Sequence, residues 1–168
     1  KNRYKFSKQE INLVVAASYI DTLSLKSTKT TPSDIVECKN LIAKYDLNKD
    51  EMYLDGLSIT DMSDIKACSL NGLKKYEINN NRVYSSYVQV TEDELNKIPL
   101  ILKEIPRTMR NKGVDYFVFI VTNVSNMTTK SYLLSKNFGS SIEVMEYNHI
   151  ASRGQEIIPE LERKLMRK

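Results

Sequence analysis

Hydrophobic positions recur at helical spacing through the first seventy or so residues and then switch to short, dense runs separated by turn residues. In 7–25, Ile11, Leu13, Val14, Val15, Ala16, Ala17, Tyr19 and Ile20 leave almost no polar side, which predicts a helix buried all round. Asp21 follows directly. A carboxylate at the end of such a segment must be ion-paired, hydrogen-bonded or bound to a metal, because an isolated buried charge is very unfavourable. The polar stretch 26–31 reads as a linker or exposed loop. Thr31-Pro32-Ser33-Asp34 is a helix start: Thr31 caps, Pro32 suits the first helical position and Asp34 reaches back as in a capping box. Ile35, Cys38, Leu41 and Ile42 then define one buried stripe. Residues 46–70 predict two further short helices, the second capped by Thr60 or Asp61, with Ile65 and Leu70 facing inward.

Beyond Lys74 the period changes. Residues 74–78 and 82–90 flank Asn79-Asn80-Asn81, a hairpin signal in which asparagine substitutes for glycine at left-handed backbone angles. Thr91 to Glu94 form a capping box that opens a helix through Leu95, Ile98, Leu102 and Ile105. Pro99 and Pro106 predict a kink or break there, and Arg110, Lys112 and Gly113 mark its end. The run Tyr116-Phe-Val-Phe-Ile-Val121 is a central strand covered on both faces. Residues 131–134 and 142–145 are shorter strands with Gly139 in the turn between them, and a last helix after Gly154 carries Ile157, Ile158, Leu161 and Leu165. This order predicts an α/β fold: a mixed β-sheet of about five strands flanked by helices.

Composition narrows the function. The chain has 168 residues, the size of one domain or of one domain with an attached piece, and 41% apolar against 27% charged residues is a globular balance. No apolar run approaches the roughly 18–20 residues of a membrane span and no secretory pattern is present, so a soluble, cytoplasmic protein is expected. A first residue of Lys1 points to a piece of a longer chain. Cys38 and Cys68 have no CxxC partner and read as reduced, partly buried thiols. With His149 the one histidine, a Cys/His zinc site cannot be assembled, and no GxSxG elbow supports a serine triad. The net charge of +4 is scattered except at the two ends. Without an aromatic-basic RNA-binding motif it makes nucleic acid an unlikely partner and suits an anionic small molecule equally well.

Three features bear on chemistry: Asp21 in Tyr19-Ile-Asp-Thr-Leu23, Lys74 and Lys75 at the start of the hairpin, and Arg153 in a turn before the last helix. Singly, each has an ordinary explanation: a helix-end hydrogen bonder, charged residues guarding an edge strand, a surface ion pair. In order along the chain they resemble something specific. The segment from Ile20-Asp-Thr-Leu23 to Asp34-Ile35 resembles the end of the DHH domain and the linker of family II, manganese-dependent inorganic pyrophosphatases. Gly113 to Val124 is similar to a strand of that family, and Ser152-Arg-Gly-Gln-Glu-Ile-Ile-Pro159 to its C-terminal Ser-Arg-Lys signature. The likeness runs from about Glu10 to Leu165.

The resemblance implies a two-domain phosphohydrolase of the DHH phosphoesterase superfamily, which includes exopolyphosphatases. Its N-terminal domain carries a manganese cluster, with magnesium or cobalt as alternatives, and its C-terminal domain closes over pyrophosphate or polyphosphate. Residues 1–26 then correspond to the last helix of the DHH domain and the start of the linker, and 27–168 to the DHH-associated, substrate-binding C-terminal domain. Asp21 matches a metal ligand, Lys74 the substrate-binding lysine with Lys75 as a fallback, and Arg153 the signature arginine. No complete catalytic set lies in this piece, so alone it is expected to hydrolyse nothing. Its partners would be pyrophosphate or polyphosphate and its own N-terminal domain, through which a homodimer could also form. Gly72, Asn123, Gly154 and Gln155 depart from the family pattern, and Gly154 removes one phosphate-gripping base. A polyphosphate substrate, or a non-enzymatic phosphate-binding or interaction module of the same fold, are the alternatives.

Overall fold

The computed structural model describes residues 5–56, 59–136 and 141–166. Contacts divide the chain into two compact units, Lys1–Ser58 and Ile59–Lys168. The boundary expected at 26/27 falls inside the first unit, in which the first three helices group together.

The first unit holds α1 (Lys8–Thr22), α2 (Pro32–Tyr45) and α3 (Lys49–Gly56). Capping boxes start the first two: Ser7 and Glu10 exchange hydrogen bonds at α1, and Thr31 and Asp34 do so at α2, with Pro32 in the first turn. Ile11, Val15, Tyr19, Cys38, Leu47 and Met52 form the core of this unit. The expectation that α1 is buried all round is not met. One stripe is buried at helical spacing, whereas Leu13, Val14 and Ile20 are 69%, 52% and 55% exposed.

The second unit is a five-stranded mixed sheet in the order β1-β2-β3-β4-β5, made of β1 (Lys74–Ile78), β2 (Asn81–Val90), β3 (Tyr116–Asn123), β4 (Thr128–Ser135) and β5 (Ile142–Tyr147). Only β2 and β3 run parallel. A parallel pair needs a crossover, supplied here by a 3₁₀ turn (Glu92–Lys97) and α5 (Ile98–Lys112). The β1–β2 hairpin turns on Asn79 and Asn80, both at positive φ (48° and 61°), the backbone that a two-residue turn between right-twisted strands requires. The strand β3 is central and almost wholly buried. On one face Ile98, Ile101, Ile105 and Met109 of α5 pack on Phe117, Phe119, Val88 and Leu134. On the other, Ile157, Ile158, Leu161 and Leu165, from a π turn (Arg153–Ile157) and α6 (Ile158–Met166), pack on Val83, Val118, Ile120 and Leu133.

Three local expectations differ from the structure. The short helix α4 (Ile65–Cys68) is capped by Asp64, not Thr60 or Asp61. Thr60 instead bonds the backbone of Gln89 in both directions, extending pairing along β2, and Asp61 accepts from the Ser63 N–H in a local turn. Thr91 makes no side-chain cap, because the turn that follows it is 3₁₀ and α5 starts at Ile98. Helix α5 runs through Pro106 without ending, and Pro99 lies in its first turn, where no intrahelical donor is lost. Its end is as expected: Gly113 (φ 62°) donates to Arg110 and Val114 to Met109, the double closure of a Schellman motif. The turn expected at Gly139 lies outside the described residues.

Asp115, just after that helix end, ties the sheet together. Its carboxylate accepts from the Arg82 N–H at 2.7 Å and from the Lys136 ammonium, and these bonds hold its carboxyl below the usual carboxylate range, the Lys136 bond foremost. A carboxyl lowered in the folded state contributes stability that is fully present above its unfolded value near 4 and is lost as pH falls through the lower folded value. Urea melts at pH 7 and pH 3 should therefore show the native protein losing more stability than Asp115→Asn, and parallel losses would contradict the assignment.

Candidate anion-binding site

Residues 69–72 are stapled to β2. The Ser86 hydroxyl donates to the Ser69 carbonyl at 2.9 Å, the Asn71 amide to the Tyr87 carbonyl at 2.9 Å, and the Tyr87 N–H to the Asn71 carbonyl at 3.1 Å. Gly72 then turns the chain into β1 at φ 56°. A Cβ at this position would stand 2.2 Å from Cε1 of Tyr87, so glycine is required by both backbone angle and space.

Arg153 arrives at the same corner from the far end of the chain. The segment before α6 is anchored at several points. The Ala151 N–H donates to the Thr129 hydroxyl at 3.0 Å, the Ser152 N–H to Glu156 Oε1 at 2.7 Å, and the Gln155 N–H to the Ser152 hydroxyl at 3.3 Å. The same Glu156 carboxylate meets His149 Nε2 at 2.8 Å. The helix opens as a π turn, a rare form found disproportionately at functional sites. From it the Arg153 guanidinium reaches across the sheet: Nη1 donates to the Gly72 carbonyl at 2.8 Å and the Ser85 carbonyl at 3.4 Å, and its Cζ lies 5.3 Å from the centre of the Tyr87 ring. Among the described residues no carboxylate pairs with Arg153. Backbone carbonyls and an aromatic face orient the cation without neutralising it, which leaves its remaining N–H donors for an anion.

The strand register sorts the two lysines. Lys74 is paired with Ser85 and Lys75 with Tyr84. Paired residues share a face, so Lys74 lies on the α6 face with Ser85, Val118 and Leu133, and Lys75 on the α5 face, its Nζ 5.6 Å from the Tyr84 ring centre. Lys74 is exposed, two residues from the carbonyl that holds Arg153, and makes no ion pair among the described residues. The structure thus brings Lys74 and Arg153 to one corner of one face and puts Lys75 on the other. Ser85 adds a fully buried hydroxyl with no hydrogen-bond partner among the described residues. Gly154, next to Arg153, is exposed, and a Cβ there would meet open space.

Asp21 belongs to the first unit and is not buried: its side chain is 74% exposed and bonds Lys29 at 2.5 Å. The premise that burial forces a partner on it is corrected accordingly, since its helix buries only the opposite stripe. The backbone just beyond it is unusual. Leu23, Ser24 and Leu25 all take left-handed angles (φ 49°, 56° and 61°), a run that disfavours L-residues by about 1–2 kcal/mol each. It is held by the Ser24 N–H to Tyr19 carbonyl bond at 2.7 Å and the Ser27 N–H to Thr22 carbonyl bond at 2.9 Å. Among the described residues no three His, Cys, Asp or Glu side chains gather as a metal group. By itself this set does not fit a divalent cation, which takes several oxygen or imidazole ligands.

Reasoning from the sequence did not find Tyr87, the Gly72 carbonyl or the Ser85 carbonyl. A signal for one of them was present: a lone glycine two residues before a strand marks a positive φ or a close approach, and Gly72 has both.

No family model matches the chain. Its sequence is 25% identical over 177 residues to a protein of Bacillus licheniformis named probable manganese-dependent inorganic pyrophosphatase, covering 96% of this chain and 57% of the relative. A protein of the same name from Streptococcus agalactiae is 26% identical over 175 residues, with 96% and 56% covered. Another from Listeria welshimeri is 27% identical over 150 residues, with 87% and 47% covered. The chain therefore spans about half the length of the curated relatives it matches. Among solved structures, a Methanococcus jannaschii protein assigned to the family II inorganic pyrophosphatases superposes with a TM-score of 0.75 at 20% identity, covering 96% of this chain and 57% of that one. The chain is thus similar over nearly all its length to the C-terminal part of manganese-dependent inorganic pyrophosphatases and shares its fold with a family II pyrophosphatase.

Proposed function

We propose that this chain is the substrate-gripping C-terminal part of a manganese-dependent inorganic pyrophosphatase of the DHH phosphoesterase superfamily, acting in the cytoplasm, and that Lys74 and Arg153 bind pyrophosphate. One observation carries the site assignment: Arg153 is fixed by two backbone carbonyls and the Tyr87 face, without a carboxylate, at the corner where Lys74 stands. An arginine fork orients a phosphoryl group through paired N–H donors, and a lysine adds a compact mobile charge. Together they would offset the charge that builds on phosphoryl oxygens as the anhydride bond breaks. Manganese, when bound, supplies an activated water and further charge neutralisation. It would be held chiefly by residues of an N-terminal DHH domain outside this chain. Asp21 would contribute one carboxylate after releasing Lys29. Two free buried thiols, Cys38 and Cys68, agree with a reducing compartment.

Gly154 favours a second reading. With glycine and Gln155 after Arg153, the π turn offers one base where the pyrophosphatase signature has more, which suits a longer polyphosphate held at several points, or a binding module that has lost the chemistry. Phosphate release with manganese, measured on the full-length protein containing this segment and on the 168-residue chain, separates these. The proposal expects turnover of pyrophosphate by the full-length protein and none by the chain alone. Turnover by the chain, or preference of the full-length protein for tripolyphosphate, would contradict it.

A further inference from the structure

The sheet carries a second recess, on the face opposite Arg153. Helix α5 covers β2 and β3 but leaves the edge strand β5 uncovered, so Ile142 and Val144, whose partners Leu134 and Tyr132 lie on the α5 side, remain 38% and 45% exposed. Between α5 and this edge runs a groove of about 1040 Å³, lined among others by Leu102, Pro106, Met109, Leu134 and Ile142. Its size is at the upper end for small-molecule sites. Among the described residues its apolar lining is aliphatic, and leucine, isoleucine and an adaptable methionine suit a flexible aliphatic chain.

The rim is cationic. Arg82, Lys103, Arg110 and Lys136 border the groove against one carboxylate, Asp115, which Lys136 already engages. Arg82, Lys103 and Arg110 make no ion pair among the described residues. An apolar floor with a surplus of positive charge at its edge complements a ligand with an apolar body and one negative end. We propose that this groove binds a long-chain aliphatic carboxylate, its chain along Leu102, Pro106, Leu134 and Ile142 and its head at the Lys103 and Arg110 edge. This site is independent of the pyrophosphate reading, since it occupies the other face of the sheet.

The test is calorimetric titration of the 168-residue chain with monomeric dodecanoate, decanoate and dodecanol, and with phosphatidylglycerol vesicles, together with methyl NMR. Burial of two methylenes changes affinity about tenfold. Dodecanoate should bind one to one, about tenfold tighter than decanoate and about fivefold tighter than dodecanol, the two rim charges together being worth about 1 kcal/mol. It should shift the methyls of Leu102, Met109, Leu134 and Ile142. Arg110→Glu should weaken it by a similar factor with an unchanged thermal midpoint, and Lys103→Glu provides a second exposed variant should the first fail to fold. Equal binding of dodecanol and dodecanoate, insensitivity to both variants, or association with vesicles without binding of the monomer would each overturn the proposal. Its failure would leave the Arg153 corner untouched.

Discussion

Replacing Arg153 by alanine is expected to weaken pyrophosphate binding about 10- to 100-fold, the usual worth of one hydrogen bond to a charged group. Arg153→Lys should recover little of this. A lysine has one ammonium and no planar fork, so it cannot donate to the Gly72 carbonyl, lie over Tyr87 and still present paired N–H groups to a phosphoryl oxygen. Calorimetry on the native chain and both variants measures the difference. The fold should be indifferent, because Arg153 lies outside the hydrophobic core formed by Ile157, Ile158 and Leu161. Affinity that is unchanged in Arg153→Ala would remove the arginine from the site.

The second large effect is structural and reaches the same cation. Gly72→Ala puts an L-residue at φ 56° and drives a Cβ to 2.2 Å from the Tyr87 ring. Left-handed strain of about 1–2 kcal/mol and overpacking of about 1–3 kcal/mol together predict a loss of roughly 2–5 kcal/mol in a urea melt. Because Tyr87 and the Gly72 carbonyl both hold Arg153, pyrophosphate affinity should fall with it. Tyr87→Ala removes the ring that clashes, so Gly72→Ala should be less damaging in that background than in the native one. Equal destabilisation in both backgrounds would show that the ring is not the obstacle.

What the sequence disclosed was mostly local. Thr31, Pro32 and Asp34 form a cap whose partners are three residues apart, Asn79 and Asn80 set a turn by their own backbone preferences, and the run in β3 has the buried environment on both faces that its composition requires. Where competing local options existed, tertiary pairing decided. Thr60 bonds Gln89 rather than a helix N-terminus, and Thr91 heads a 3₁₀ turn. Helix α1 misled for a different reason: an apolar surplus says that a helix is hydrophobic, not which neighbours cover each side, and Leu13, Val14 and Ile20 are uncovered here.

At the site, Lys74, Lys75 and Arg153 come from a family likeness, which puts Lys74 first and Lys75 as a fallback but gives no geometric ground for separating them. Strand alternation does: adjacent residues in β1 must face opposite ways, and pairing with Ser85 fixes which way each faces. The dock for Arg153 was not legible, because its acceptors are the carbonyls of Gly72 and Ser85, and main-chain atoms leave no mark in side-chain identity.

The most direct measurement is a pyrophosphate titration of the ¹⁵N-labelled chain followed at Arg153 Nε and at Lys74 and Lys75 Nζ. Two cations gripping one pyrophosphate would shift with a common saturation curve, while the Lys75 signal over Tyr84 stays still. Movement of Arg153 without Lys74, or of Lys75 in its place, would contradict that account.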